Sequence, residues 1–364
     1  MQDDRLMGGI IGRLLAKESL PREEACRAFR LVLDNRVSEM QQGAFLAALT
    51  AKGETAEEVA GGWQAIYELD TCQVSLDGPL LDNSGTGMDS FKTFNISTAA
   101  SLVAAAGGVA IARHAARAIT SRCGAVDMVE RLGVDVECGV DIVAESVNRA
   151  GIGLFNGMSA RVHPRALGRI LSQIHFGSPL NIAASLANPA MPGLAVRGVA
   201  LREMLLPVAE AMRAIGYRRA LVVHGTIDNS TLAMDEASVC GATHAVELAD
   251  GQLTSLSFTP DACGLEIHDP QGLSPDEGQE AAVSFYRLLS GRGSLVRRDA
   301  VLLNSALALY VAGKVTTIGA GVTLSRELLD SGAALETLQR WVEVQNEDRQ
   351  RGLRQLDALR REAA

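Results

Sequence analysis

Asp82-Asn83-Ser84-Gly85-Thr86-Gly87-Met88-Asp89-Ser90-Phe91-Lys92-Thr93-Phe94-Asn95-Ile96-Ser97-Thr98 is the stretch on which the fold of this chain turns. Pro79-Leu80-Leu81 before it predicts a short strand, and the Ala-rich run from Ala99 to Ala106 after it predicts an apolar helix. The turn between them is crowded with small hydroxyl and amide side chains, which makes it an anion cradle. Gly85 and Gly87 allow close backbone approach on either side of Thr86. Asn95, Ser97 and Thr98 fall where a helix begins, with unpaired N–H groups and the positive end of the dipole facing outward. Asp89 adds a carboxylate able to orient a hydroxyl or help hold a metal.

Outward from this loop the pattern alternates. Val109-Ala110-Ile111-Ala112 reads as a buried strand ending at Arg113-His114, and Ile152-Gly153-Leu154-Phe155 as another. Ala220-Leu221-Val222-Val223 reads as a third, ending at His224-Gly225. Helical periods cover Val126 to Leu132 and Val140 to Arg149. Strand and helix repeating in this way predict an α/β fold: a central, mostly parallel sheet flanked by helices. Ligands of such sheets lie beyond the carboxyl ends of the strands, where the Gly85 loop, Arg113-His114 and His224-Gly225 all fall. Residues from Arg5 to Glu68 read instead as short helices, with Pro21 as a helix start and Ser38/Gln41 and Thr55/Glu58 as capping boxes. Ala242 to Phe258 reads as β-structure turning at Asp250-Gly251. Helices are expected over Gly278 to Leu289, Asp299 to Ala312 and Gly319 to Asp330, and a solvated charged helix after Trp341.

Composition narrows the function. A chain of 364 residues with 47% apolar and 21% charged residues builds a large globular core. Its net charge of −9 offers no field to recruit nucleic acid or a membrane, so an anionic substrate must be held by local cations. The six cysteines form no Cys-x-x-Cys pair and read as reduced core residues. A polar N-terminus and the lack of a long apolar run point to a cytoplasmic protein.

The string GTGMDSFKTFNIST resembles the GTGGDG…TFNIST signature of anthranilate phosphoribosyltransferases, and the resemblance runs from the first helix to about residue 345. It implies a small all-helical domain over 1–72, with 163–192 returning to it. The remainder, 73–162 and 193–364, would be an α/β domain of the nucleoside phosphorylase/phosphoribosyltransferase type that binds 5-phosphoribosyl pyrophosphate (PRPP). The implied PRPP-binding residues are Gly85, Thr86, Gly87, Asp89, Thr93, Asn95, Ser97, Thr98, Arg113 and Ser121. Arg113 stands where the family's KHGNR…SSKSG segment has its lysine, and Arg117 matches the family arginine. Asp235 and Glu236 correspond to the family's VVHG…DE and, with Ser97, are the implied ligands of Mg2+, the expected cofactor; adjacent hard carboxylates suit that ion. A homodimer through the helical domain is implied as well.

The departures fall on the side of the aromatic acceptor. The asparagine of KHGNR is Ala116, GPLTNP reads Ala184-Ser185-Leu186-Ala187-Asn188-Pro189, and the second glycine of GTGGDG is Met88. The arginine that pairs with anthranilate's carboxylate has no clear equivalent: counting back from Asn181 places Leu171 there, with Arg165 and Arg169 nearby as substitutes. His114, Ala116, Arg165 and Arg169 are therefore the expected acceptor-binding residues. Thr226 to Met234 is longer than in typical members, so whether Asp235-Glu236 reaches the site is open. Three activities fit: Mg2+-dependent phosphoribosyl transfer to anthranilate in tryptophan synthesis, the same transfer to another aromatic or heteroaromatic amine, and a non-catalytic nucleic-acid-binding relative. The acidic charge and the intact acid pair weigh against the last, and TFNIST with VVHG…DE weighs against a nucleoside phosphorylase.

Overall fold

Four helices open the chain: α1 (Gln2–Leu15), α2 (Arg22–Leu33), α3 (Glu39–Lys52) and α4 (Ala56–Asp70). The computed structural model describes residues 2–86, 89–117 and 124–364. Two start signals behave as the sequence predicts. Pro21 precedes α2, whose first turn carries Glu23 and Glu24, and Thr55 and Glu58 close a reciprocal capping box on α4. Glu58 is buried yet fully engaged, accepting also from the Leu20 N–H at 2.8 Å and from Lys52 Nζ at 2.9 Å. Ser38 departs from expectation: its hydroxyl caps nothing, and its N–H donates to Asp4 Oδ1 instead.

The second part of the chain runs β1 (Leu80–Gly85), α5 (Ile96–Ala106), β2 (Ala110–Ala115), α6 (Ala125–Arg131), α7 (Val140–Ala150) and β3 (Ile152–Asn156). Then come α8 (Leu167–Leu171), α9 (Pro179–Leu186), β4 (Leu194–Gly198), α10 (Leu205–Ile215), β5 (Arg219–Thr226) and the short β6 (Ala233–Met234). A hairpin, β7 (Thr243–Ala249) and β8 (Gln252–Phe258), precedes α11 (Gly278–Leu289), α12 (Leu295–Val311), α13 (Ile318–Asp330), α14 (Ala333–Val344) and α15 (Arg349–Ala363). The sheet order is β3-β2-β1-β4-β5-β7-β8, with β6 beside β5. Strands β1 to β5 are parallel throughout, and only β6, β7 and β8 run against their neighbours. The expected mostly parallel sheet is present. Asp250 (φ 50°) and Gly251 (φ 77°) make the two-residue turn of the β7–β8 hairpin, both in the left-handed region that such a turn requires.

Strand β4 is the element that periodicity misses, because Arg197 interrupts its apolar run. β1 is also longer than its apolar residues suggest. Asp82, Asn83 and Ser84 continue it as buried polar positions, each with hydrogen-bond partners within the fold. The chain leads from β1 outward to β2 and β3, then returns to place β4 on the other side of β1. The order therefore reverses between β1 and β4, the position at which open α/β sheets leave a crevice for ligands.

Side-chain alternation gives the sheet two chemically different faces. Leu81, Ile111, Val196, Leu221 and Val223 pack beneath α5, α12 and α14. Ala195, Ala220 and Val222 share a second apolar cluster with α2, α4, α8, α9 and α10. Trp63 Nε1 of α4 donates to the Leu186 carbonyl at 3.0 Å, locking α4 to α9. The end of the chain is not a solvated appendage. Gln345 is buried and its amide pairs with both Leu154 N–H and Leu154 C=O, covering the free edge of β3. Leu356, Leu359 and Ala363 of α15 are buried too. Among the described residues no helix is long and apolar enough to cross a membrane.

Three strand-end glycines carry the segment that crosses the sheet's rim. A Cβ on Gly198 would lie 1.6 Å from the Asp235 carbonyl oxygen; on Gly85, 2.4 Å from Asp235 Oδ2; on Gly225, 2.3 Å from the Glu236 carbonyl oxygen. Gly198→Ala should therefore destabilise the protein by about 2 kcal/mol or more, as overpacking against backbone does. Gly12→Ala, on an open helix surface with nothing within 4 Å, should stabilise by about 0.5–1 kcal/mol. Denaturant midpoints of the two variants measure this, and equal shifts would contradict it.

Candidate active site

The glycines bring Asp235 and Glu236 to the end of β1 and the first turn of α5. Thr86 Oγ1 donates to Asp235 Oδ2 at 3.4 Å, and the Ser97 N–H donates to Glu236 Oε1 at 3.1 Å. The long segment before the pair is accommodated by β6, which pairs Met234 with Gly225 and Ala233 with Thr226. Phe91 N–H and Ser90 Oγ also bond the Ala233 carbonyl, fastening the glycine loop to that segment. The acid pair does reach the loop.

Electrostatics explain what this meeting does. Asp89, Asp235 and Glu236 converge. Burial, then the charge of Asp235, pushes Asp89 up to about 6, while Lys92 pulls it down through a 2.9 Å ion pair. Burial, then Asp235 and Asp89, holds Glu236 well above the usual carboxylate range. Glu236 Oε2 is cut off from solvent and has no hydrogen-bond partner. An orphaned carboxylate oxygen beside two other acids is a position for a cation. Among the described residues no three acids, histidines or cysteines close on a metal by themselves. Such a donor set fits Mg2+, which takes one or two carboxylates and completes its shell with water and substrate oxygens.

Other expected residues occupy different roles. Arg113 does not face the phosphate cradle: it is 1% exposed. Its guanidinium donates to Asn83 O at 2.9 Å, Thr98 Oγ1 at 2.6 Å and Ser97 Oγ at 3.1 Å. Burial lowers it to about 10, with Asp82 and Glu236 opposing. It is a buried tie that fixes the first turn of α5. Thr98 is buried, while Thr93, Asn95 and Ser97 are half-buried around the loop. α5 starts three residues earlier than its Ala run suggests, so Ser97 and Thr98 lie inside its first turn. Arg117 is held by Asp127, Glu130 and Glu137, away from the acid pair. Gly87, Met88 and Ser121 lie outside the described residues.

On the opposite face, toward the helices, a second polar group assembles. His114 Nε2 lies 3.2 Å from His163 Nε2, and His163 Nδ1 lies 2.7 Å from the Asp70 carbonyl. A nitrogen facing a carbonyl carries its proton, so His163 is protonated at Nδ1 and presents Nε2 to His114, whose own Nδ1 lies 3.4 Å from the Ser185 carbonyl. Burial, then His163, drives His114 down to about 3, so the pair stays neutral near pH 7. The Asp70 carboxylate accepts from the N–H groups of Arg165, Ala166 and Leu167 at 2.6, 2.9 and 2.7 Å, anchoring the start of α8. Arg165 itself is exposed. Arg169 spends its guanidinium on Gln42 Oε1 and the Val32 carbonyl, inside the helical layer. Neither stands beside His114. The cation that does is Arg197, which sequence reasoning missed along with β4; it is 4% exposed and bonds Ser84 Oγ and Ser185 Oγ. Ala116 is exposed.

Comparison with known proteins agrees with this architecture. Residues 77–335 match the family described as glycosyl transferase family, a/b domain, and residues 9–69 match its helical bundle domain. An anthranilate phosphoribosyltransferase of Desulfosudis oleivorans is 34% identical over 92% of this chain and 97% of its own. Another, from Rubrobacter xylanophilus, is 36% identical over 90% and 94%. The chain belongs to the anthranilate phosphoribosyltransferase family. Membership makes the protein a phosphoribosyltransferase. The crystal structure of the Thermus thermophilus member superposes with a TM-score of 0.82 at 36% identity, over 92% of this chain and 98% of that one. The Saccharomyces cerevisiae member in complex with PRPP and Mg shares the fold with a TM-score of 0.81 at 22% identity, over 94% and 98%.

Asp82 supplies a pH test of these surroundings. Burial raises its carboxyl to about 6, against the opposing charges of Arg197 and Arg113. The folded state therefore binds more protons than the unfolded chain between about pH 4 and 6, and this group's contribution falls as pH rises through that window. Asp82→Asn removes the term. Its stability relative to wild type should rise by roughly 3 kcal/mol between pH 4 and pH 7, from about two units at 1.36 kcal/mol each. Denaturant unfolding at the two pH values reads the difference, and a constant offset would contradict it.

Proposed function

We propose that the protein transfers the 5-phosphoribosyl group of PRPP to the amino nitrogen of anthranilate, releasing pyrophosphate, as a Mg2+-dependent step of tryptophan synthesis. The observation that carries this reading is the convergence of Asp235 and the orphaned Glu236 oxygen on the glycine loop and the start of α5. Mg2+ held by Asp235, Glu236 and Ser97 would neutralise charge on the departing pyrophosphate. Gly85, Thr86, Asp89, Thr93, Asn95 and Thr98 would form the cradle around the donor, with the positive end of the α5 dipole toward its phosphates. Arg113 acts from behind by holding Ser97 and Thr98 in place. His114, neutral, lines the acceptor side, where the incoming amine attacks as a neutral nitrogen. Positioning and preorganised charge supply the rate, with no covalent nucleophile.

A second reading, transfer to a different aromatic or heteroaromatic amine, is favoured by the engagement of Arg169 with Gln42 and Val32 and by the exposure of Arg165. PRPP-dependent pyrophosphate release, measured across aromatic acids, amines and azoles, separates the two. Release with anthranilate should require Mg2+, and Asp235→Asn with Glu236→Gln should lower it by at least about 10²-fold without unfolding the protein. Release confined to another acceptor would establish the second reading. Undiminished turnover in the double variant would remove the acids from the site.

A further inference from the structure

We propose that Arg197 is a specificity-determining residue of this site, its guanidinium receiving the carboxylate of the aromatic amine acceptor. The inference rests on the phosphoribosyl-transfer reading above and names the residue by which the site tells an acid from its neutral analogue.

Arg197 projects from β4 on the face shared by Ala195, which is the face of Ser84, Asp82 and His114 and lies opposite the acid trio. Two of its five N–H groups are spent, on Ser84 Oγ at 2.7 Å and Ser185 Oγ at 2.6 Å. Both hydroxyls pass their own protons onward, Ser84 to Asp82 Oδ2 and Ser185 to the Ile182 carbonyl, so their lone pairs are set toward the guanidinium. No ion pair satisfies Arg197 among the described residues. Asp82 on the adjacent strand is a partial counter-charge that meets Arg197 only through Ser84 and already accepts from the His114 N–H and from Ser84. A buried guanidinium with three open donors and no closed ion pair is costly unless an anion arrives. The donor's phosphates are drawn to the other face by the loop, α5 and the metal acids. The anion that comes to this face is therefore the acceptor's own. Ser185 and Gly157, which border His114, and Ala115 beside it are half-buried rather than closed off from solvent. An arginine fork suits a planar carboxylate, which can take two parallel hydrogen bonds from it. An amine ortho to that carboxylate would then lie on the His114 side.

The test is fluorescence titration of the full-length protein with anthranilate and with 2-aminobenzamide, a neutral ligand of the same shape. Wild type should bind the acid about 10-fold or more tightly than the amide. Arg197→Met should weaken the acid about 10²-fold while changing the amide less than about 3-fold, and Arg197→Lys should recover part of the loss. Ser185→Ala, a milder change, should weaken the acid alone by a few fold, which covers the case of a poorly folding Met variant. Equal losses for both ligands would make Arg197 a strut between β4 and α9 and overturn the proposal. So would a wild-type protein that does not distinguish acid from amide. Pyrophosphate release recorded in parallel keeps the two questions apart. The binding pattern without release sinks the transferase reading and leaves this one standing, and release with an insensitive Arg197 variant does the reverse.

Discussion

The site depends on one close approach: the backbone of Asp235 and Glu236 lying against Gly85, Gly198 and Gly225, at the ends of three neighbouring strands. Any side chain there would meet a main-chain oxygen or a carboxylate well inside van der Waals distance, and backbone cannot yield as a rotamer can. Those glycines let a remote segment cross the crevice where the strand order reverses. The crossing sets an acid against the N-terminus of α5, and Ser97 N–H donates to one oxygen of Glu236 while the other has no partner. Burial and the neighbouring charges make Asp89 and Glu236 resist ionisation. The fold thus stores an electrostatic demand that a divalent cation, with phosphates in its remaining positions, relieves.

The sheet then divides the labour by alternation alone. On one face of β1, β2, β4 and β5 the terminal positions are Asn83, Gly85, Arg113, Gly198 and Gly225, beside α5 and the acid trio. On the other face they are Asp82, Ser84, His114, Arg197 and His224, beside α9 and the segment that Asp70 anchors. Donor and acceptor chemistry can be separated by the thickness of a single sheet. A one-residue slip of any of these strands would exchange the two sets, which explains why short polar strand ends are fixed by so many hydrogen bonds.

Much of this was legible in the sequence, for physical reasons that can be named. The glycine loop, its helix and the Asp250-Gly251 hairpin are local, so neighbouring residues carry their signals. The acid pair was legible through family resemblance, since two adjacent acids alone look like any solvated pair. The partners of Arg113 were not legible, because a sequence shows a cation but not the hydroxyls and carbonyl that consume its donors. Arg197 was hidden with β4, whose buried charge breaks the apolar run. A signal existed: an arginine directly before a glycine after alternating apolar residues, much as Arg113-His114 ends β2. The hold of Asp70 on Arg165 spans 95 positions, beyond any local pattern. Arg169 looked available only because its partners on α2 and α3 are equally distant in sequence.

The account stands most directly on where the metal goes. Crystals grown with PRPP and Mn2+ in place of Mg2+, recorded with anomalous scattering, would locate it. The account predicts a peak within bonding distance of the Glu236 carboxylate, on the acid side of the sheet and touching the pyrophosphate. A peak elsewhere, or PRPP seated with Glu236 Oε2 still without a partner, would contradict it.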